Sequence, residues 1–261
     1  MAHKIYENFV LANEIEDQYN SYLDLARFCT VDNSLVGTPG MVKKINVYSA
    51  TDGTEKVAMG VGNSKDIEVS YSEKEYTILT AQNRFKYFDE QERTDPYVVT
   101  TGVRHMATDM FNTVNADIFA EFNKANQSIT LSGSDYFGAF VDASAALNVE
   151  NMAGLEKFAF VSNEDMAKIR KALKDDLKYV SQFATQGYVG SVGDWNLYVK
   201  KDAVAGTIVG GTKAAVTLFN KKGVEVEQKR DADIRQNTIW SRKYYLAALT
   251  DQTKAIKIAL A

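Results

Sequence analysis

Cysteine and histidine are nearly absent from this chain, and each scarcity removes a class of chemistry. The single Cys29 cannot form an intrachain disulfide. His3 and His105 lie far apart and neither is near Cys29 in sequence, so no His/Cys zinc site is expected. A histidine-dependent triad would have to use one of these two, and no Gly-x-Ser-x-Gly turn presents a serine. His105 falls within a helical pattern with no partner constellation and reads as a structural residue. No window approaches the roughly 20 apolar residues that a membrane-spanning helix needs. Glu, Asp and Asn interrupt the first thirty residues where a signal peptide would be apolar, so the expectation is synthesis in the cytoplasm. An excess of one charge is missing too: 30 Lys and Arg stand against 34 Asp and Glu, net −4, which argues against a surface built to neutralise phosphates.

The glycine motifs do not supply a nucleotide site. Residues 206–213 have the Walker spacing between Gly206 and Gly211, but Thr212 precedes Lys213, the reverse of the phosphate-loop order. Strand-like residues follow, so the helix N-terminus that would hold phosphate is missing and Gly210-Gly211 reads as a turn between strands. Gly187, Gly190 and Gly193 read as loop hinges. The carboxylate pairs Asp175-Asp176 and Asp231/Asp233 lie beside Lys174, Lys178 and Arg230 and read as solvated ion pairs. Lys168, Lys171 and Lys178 are diluted by Glu164, Asp165 and Asp176, a solvated helix face.

What is present is a clear sequence of elements. Residues 13–28 carry Ile15, Tyr19, Tyr22, Leu25 and Phe28 at helical spacing. Gly37-Thr38-Pro39-Gly40 is a turn signal, and residues 42–78 alternate in strand-like patches with Asp52-Gly53 as a hairpin turn signal. A hairpin of that length reaches on the order of 50 Å and needs a neighbour to bury its apolar side. Its candidates for that contact are Val57, Met59, Val61, Ile67 and Val69.

Over residues 95–123, Val99, Val103, Met106, Met110, Val114, Ile118 and Phe122 form one stripe of a long helix, opened by an Asp95 cap and Pro96. Arg104, Asp109, Asn112 and Asn115 make its polar face. A second helix over 136–147 places Phe137, Phe140, Val141 and Ala145 on one side. A buried strand follows at 157–161, then a helix capped by Ser162 and running to about Tyr179, with Asp165 where a capping box has Glu or Gln. From Gly187 the period shortens to that of strands, and residues 239–249 and 255–260 could complete a sheet.

The run Phe158-Ala159-Phe160-Val161-Ser162-Asn163-Glu164-Asp165, followed by Gly187, Trp195, Gly210-Gly211 and Gln228-Lys229-Arg230-Asp231, resembles the major capsid proteins of tailed bacteriophages, with the Hong Kong 97-like fold. That resemblance implies an α+β chain with an N-terminal arm (1–40), an extended β-hairpin loop (41–80), a peripheral domain with a long spine helix (81–134), an axial domain (135–223) and closing peripheral strands (224–261). It implies no enzyme, cofactor or metal. Its partners would be copies of itself, as hexamers and pentamers of an icosahedral shell, with a separate scaffolding protein, a portal, and double-stranded DNA held non-specifically. The location would be the virion, assembled in the host cytoplasm. Some members of the family cross-link a loop lysine to a neighbour's asparagine; Lys56 and Lys65 are donors by position, with no acceptor assigned. An encapsulin-like nanocompartment shell and a phage tail-tube or adaptor subunit remain as alternatives.

Overall fold

The structure, a computed structural model, describes residues 6–7, 23–95, 97–133, 135–147, 155–177 and 190–260. A short strand β1 (Tyr6–Glu7) precedes a 3-10 turn at Leu25–Phe28 and β2 (Thr30–Asp32). Then come β3 (Val42–Ala50), β4 (Val69–Thr77), β5 (Leu79–Phe88), α1 (Asp89–Thr94) and α2 (Val98–Phe122). β6 (Gln127–Thr130), α3 (Tyr136–Leu147), β7 (Lys157–Val161), α4 (Asn163–Ala172) and α5 (Lys174–Leu177) follow. The chain ends with β8 (Ser191–Val192), β9 (Trp195–Val199), β10 (Thr207–Thr212), β11 (Val216–Asp231), β12 (Gln236–Leu249) and β13 (Ala255–Ala259).

These strands make two main sheets and a separate ribbon. A five-stranded sheet has the order β1-β11-β12-β5, with β2 parallel to the start of β11. A six-stranded mixed sheet has the order β6-β13-β10-β7-β9-β8. β3 and β4 pair only with each other.

The long helix follows its apolar stripe. Val103, Met106, Met110, Val114, Ile118 and Phe122 are buried, and Val99 is packed at the margin of the core. At 1.5 Å per residue α2 spans about 37 Å, enough to lie along both halves of the molecule. Its first turns pack on Tyr87, Val226 and Ile239 of the five-stranded sheet. Its last turns, with Phe119 and Phe122, meet Phe158 and Phe160 of β7 where the two sheets approach. The helix starts at Val98, and residues 89–94 form a helix of their own. Asp95 Oδ1 accepts from the Tyr97 N–H at 3.0 Å, a turn ahead of α2, whose own N-cap position is Tyr97. Pro96 lies outside the described residues.

Four sequence expectations need correction. Asn115 is not on the polar face of α2 but buried, because its amide binds backbone: Oδ1 accepts from Leu25 N–H and Nδ2 donates to the Leu23 carbonyl, both at 3.1 Å. α3 turns a different face inward. Tyr136, Ala139, Phe140, Ala143 and Leu147 pack on Trp195, Ile208 and Ile256, whereas Phe137 and Val141 are exposed. Gly210-Gly211 is not a turn but mid-strand in β10, paired on both sides. A Cβ on Gly210 would stand 2.5 Å from the Phe158 carbonyl oxygen and 2.8 Å from the Trp195 ring, so glycine is there for close approach. Of the helix expected over 13–28, only the end is described, and Leu25–Phe28 is a 3-10 turn capped by Asp24.

Ser162 does cap α4, accepting from Asp165 N–H at 3.1 Å. The shorter Asp165 carboxylate does not reach back to the cap's backbone as Glu would; it accepts from the Ser162 hydroxyl at 2.8 Å and from Gly206 N–H at 2.9 Å. That carboxylate, fully buried, therefore ties the start of α4 to the loop before β10. α4 ends at Ala172 and α5 follows, with residues 178–180 outside the description.

Candidate assembly surface

The β3–β4 ribbon is an arm. Nine cross-strand pairs run from Val42↔Thr77 to Ala50↔Val69. Directly opposite residues share a face, and positions two apart share it again. Val42, Lys44, Val69, Tyr71, Glu73 and Glu75 therefore lie on one side. Lys44 Nζ sits 2.5 Å from Glu73 and 2.7 Å from Glu75, and those carboxylates hold the ammonium well above its ordinary lysine value. Glu75 is held below its ordinary value by the same contact. All three side chains are about half exposed or more, so the cluster contributes little to stability.

The strands end at Ala50 and Val69, and the chain does not turn at Asp52-Gly53 as expected. Residues 51–68 form a folded tip whose reversal lies at Gly60, which has φ of 82°, with Val61 N–H donating to the Ala58 carbonyl at 3.1 Å. Asp52-Gly53 instead lies along the side, where Gly53 packs beneath Ile67. Asn63 Nδ2 donates to the Gly53 carbonyl at 3.0 Å. Ser64 donates its N–H and hydroxyl to the two Glu55 oxygens, each at 2.8 Å, holding that carboxyl below its usual value. The tip is thus tied together by polar bonds, while Val57, Met59 and Val61 stay exposed.

All five residues singled out in the sequence are exposed on this arm: Val57 at 49 %, Met59 at 104 %, Val61 at 60 %, Ile67 at 62 % and Val69 at 50 %. Two more join them. Tyr71 at 74 % and Val42 at 54 % lie on the Val69 face; the alternation Ile67, Val69, Tyr71 carried that signal for Tyr71. A patch of this kind is a hazard on a free subunit and an interface in an assembly.

The groups weighed for chemistry are dispersed. Cys29 is buried and its thiol donates to the Leu25 carbonyl at 3.4 Å. Burial, aided by the Asp24 charge, pushes that thiol up to about 12. His105 is exposed on α2. Asp231 Oδ1 accepts from Asp233 N–H at 3.2 Å in the turn before β12. Lys168 pairs with Asp165 at 3.3 Å. Gly193 and Asp194, both with positive φ, make the two-residue turn between β8 and β9. His3, Lys178 and Gly187 lie outside the described residues. Among the described residues no helix is long and apolar enough to cross a membrane, and no group of three His, Cys, Asp or Glu could hold a metal.

No family model matches the chain. Over 260 residues it is 25 % identical to the major capsid protein of Staphylococcus phage phiMR11, covering 95 % of this chain and 91 % of that one. Among solved structures it superposes on the mature capsid of bacteriophage PhiM1 with a TM-score of 0.72, at 10 % identity, covering 100 % of this chain and 91 % of that one. On the capsid of a native GTA particle the TM-score is 0.70, at 12 % identity, covering 91 % and 90 %. The mixed helix and strand fold is therefore that of these capsid subunits over nearly its whole length.

Proposed function

We infer that this chain is the major capsid protein of a tailed phage, a structural subunit of the virion shell. The observation that carries the inference is the arm: nine paired residues and a folded tip leave the body with their apolar side chains uncovered, on a fold shared end to end with capsid subunits. An isolated two-stranded ribbon is marginal in water, so such an arm is accounted for by a neighbouring copy that covers it.

Several finer features follow from this reading as proposals. The five-stranded sheet with α1 and α2 corresponds to the peripheral domain of the Hong Kong 97-like fold, α2 to its spine helix, and the β3–β4 ribbon to its extended loop. The six-stranded sheet with α3 and α4 corresponds to the axial domain. In this proposal the sheets, rather than residues 223 and 224, mark the division: both residues lie within β11, and β13 pairs with β10 and β6 in the other sheet. Subunits would form hexamers and pentamers of an icosahedral shell, built on a separate scaffolding protein around a portal. The packaged double-stranded DNA would be held without specific contacts, as suits a chain of net −4.

The double substitution Val69→Asp and Tyr71→Asp tests the role of the arm. Both side chains are exposed in the subunit, so its unfolding free energy should stay within the range of surface changes, roughly ±0.5 kcal/mol. Sedimentation should show particles for the unaltered chain and only subunits or small rings for the variant. Particles of normal size from the variant would remove the arm from the interface.

A further inference from the structure

Three consecutive residues of β11 hold the root of the arm. The Phe219 ring lies under the Lys43 ammonium, 5.2 Å from the centroid. Asn220 Nδ2 donates to Asn33 Oδ1 at 3.0 Å. Lys221 Nζ donates to the Thr38 carbonyl at 3.0 Å and also to the Gly40 carbonyl. A β-bulge accounts for the last contact. The β11–β12 register jumps from Asn220↔Tyr245 to Lys222↔Tyr244, leaving Lys221 as the extra residue with no cross-strand partner in the ladder. Bulges re-aim side chains in this way, and here the re-aimed ammonium reaches the loop from which β3 departs.

The arm joins the body through two links of unequal firmness. On the β4 side, Ile78 is buried, a fixed pivot, and its N–H donates to the Met41 carbonyl at 2.7 Å, joining it to the residue just before β3. On the β3 side the chain passes Gly37 and Gly40, with φ of 79° and 96° and nothing within 4 Å of where a Cβ would stand. Packing does not restrain that link. Beneath it a groove of about 560 Å³, bordered by Val36, Pro39, Met41 and Tyr244, leaves room for it to shift. The Lys221 bonds to the two carbonyls flanking Pro39 span this loose link.

We propose that Lys221 is a positioning residue that fixes the direction in which the arm leaves the body, and through it the place where the arm meets a neighbouring copy. The consequence for the shell rests on the capsid reading; the geometry at the root does not. Nine strand residues at about 3.3 Å each make a lever about 30 Å long, so a tilt of about 10° at the root carries its far end about 5 Å. A shift of that size would separate side chains that must pack.

The test uses the full chain as unassembled subunits, with Lys221→Met to remove the ammonium and Lys221→Arg to keep a donor. Spin labels at Lys56→Cys on the tip and Asp231→Cys on the body report the arm's direction, while the buried Cys29 stays unlabelled. The unaltered residue and K221R should give one narrow distance, and K221M a distribution broadened or moved by about 5 Å. Exchange of the Thr38 amide, bonded to the Leu35 carbonyl, should rise about tenfold in K221M, as for loss of a charged hydrogen-bond donor, with α2 amides unchanged. An unaltered distance and unaltered exchange in K221M would overturn the proposal. So would equal acceleration at Thr38 and throughout α2 in both variants, since Lys221 would then serve the fold as a whole. Shell formation is scored separately: failure of the unaltered chain to assemble counts against the capsid reading and leaves the distance measurement standing.

Discussion

Asn115 lies on the buried side of α2 and spends both ends of its amide on the backbone of the incoming N-terminal segment. Helical spacing alone puts it beside Asn112, yet the two differ entirely in surroundings: Asn112 is exposed and Asn115 is 5 % exposed. The difference comes from Leu25 and Phe28, which must reach the core beside Val114 and Ile118 and bring unpaired backbone groups with them. Asn115→Ala strands the Leu25 N–H and the Leu23 carbonyl, and is expected to cost about 1–3 kcal/mol. Asn112→Ala should fall within about 0.5 kcal/mol of the unaltered chain. Thermal unfolding of the two variants side by side measures this contrast; equal melting temperatures would mean that Asn115 does not hold the segment.

Among the elements, the end of the β11–β12 ribbon is closed by charge. Arg230 donates to Asp89 at 2.6 Å, Asn237 Nδ2 to the other Asp89 oxygen at 2.8 Å, and Arg235 to Glu90 at 2.9 Å, fastening α1 to the ribbon. The Arg230 bond holds the Asp89 carboxyl below its ordinary 3.8. Its own backbone N–H and Arg235 hold the Glu90 carboxyl below its ordinary 4.5. A depressed carboxyl contributes stability that is present above its unfolded value and is lost as pH falls through its folded value. The fastening should therefore be constant through neutral pH and weaken only in acid, below about 4. The side-chain amide resonances of Asn237, followed by NMR from pH 7 to pH 2.5, should stay fixed until that acid range; a transition between pH 5 and 7 would contradict it.

Elements were legible in the sequence to the extent that one residue property decided them. The stripe of α2, β7, the Ser162 cap and the existence of a long hairpin follow from periodicity and turn chemistry. The inward face of α3 was not legible, because Phe137, Phe140 and Val141 are equally apolar and only Trp195 and Ile256 decide which of them is covered. Gly210 looked like a turn because the strand character of β10 depends on its two neighbours. β5 is hard to read in the sequence because the alternation of Ala81, Asn83, Phe85 and Tyr87 with exposed Thr80, Gln82, Arg84 and Lys86 is diluted by its polar members. At the candidate surface the five apolar positions could be read from the arm's composition. The Lys221 contact could not, since it depends on a bulge that pairing with β12 reveals.

For the whole molecule, the two sheets and the helix that spans them make a body with three buried clusters among the described residues, and the arm stands outside it. A free subunit leaves Met59, Ile67, Val69 and Tyr71 in water. In the proposed shell a neighbouring copy would remove them from it, and the hydrophobic gain from that burial would favour closure. The most direct test is electron microscopy of the purified full-length protein, alone and co-expressed with a scaffolding protein. Closed icosahedral shells, or rings of five and six subunits, are expected; a monomer that persists under every condition would contradict the account.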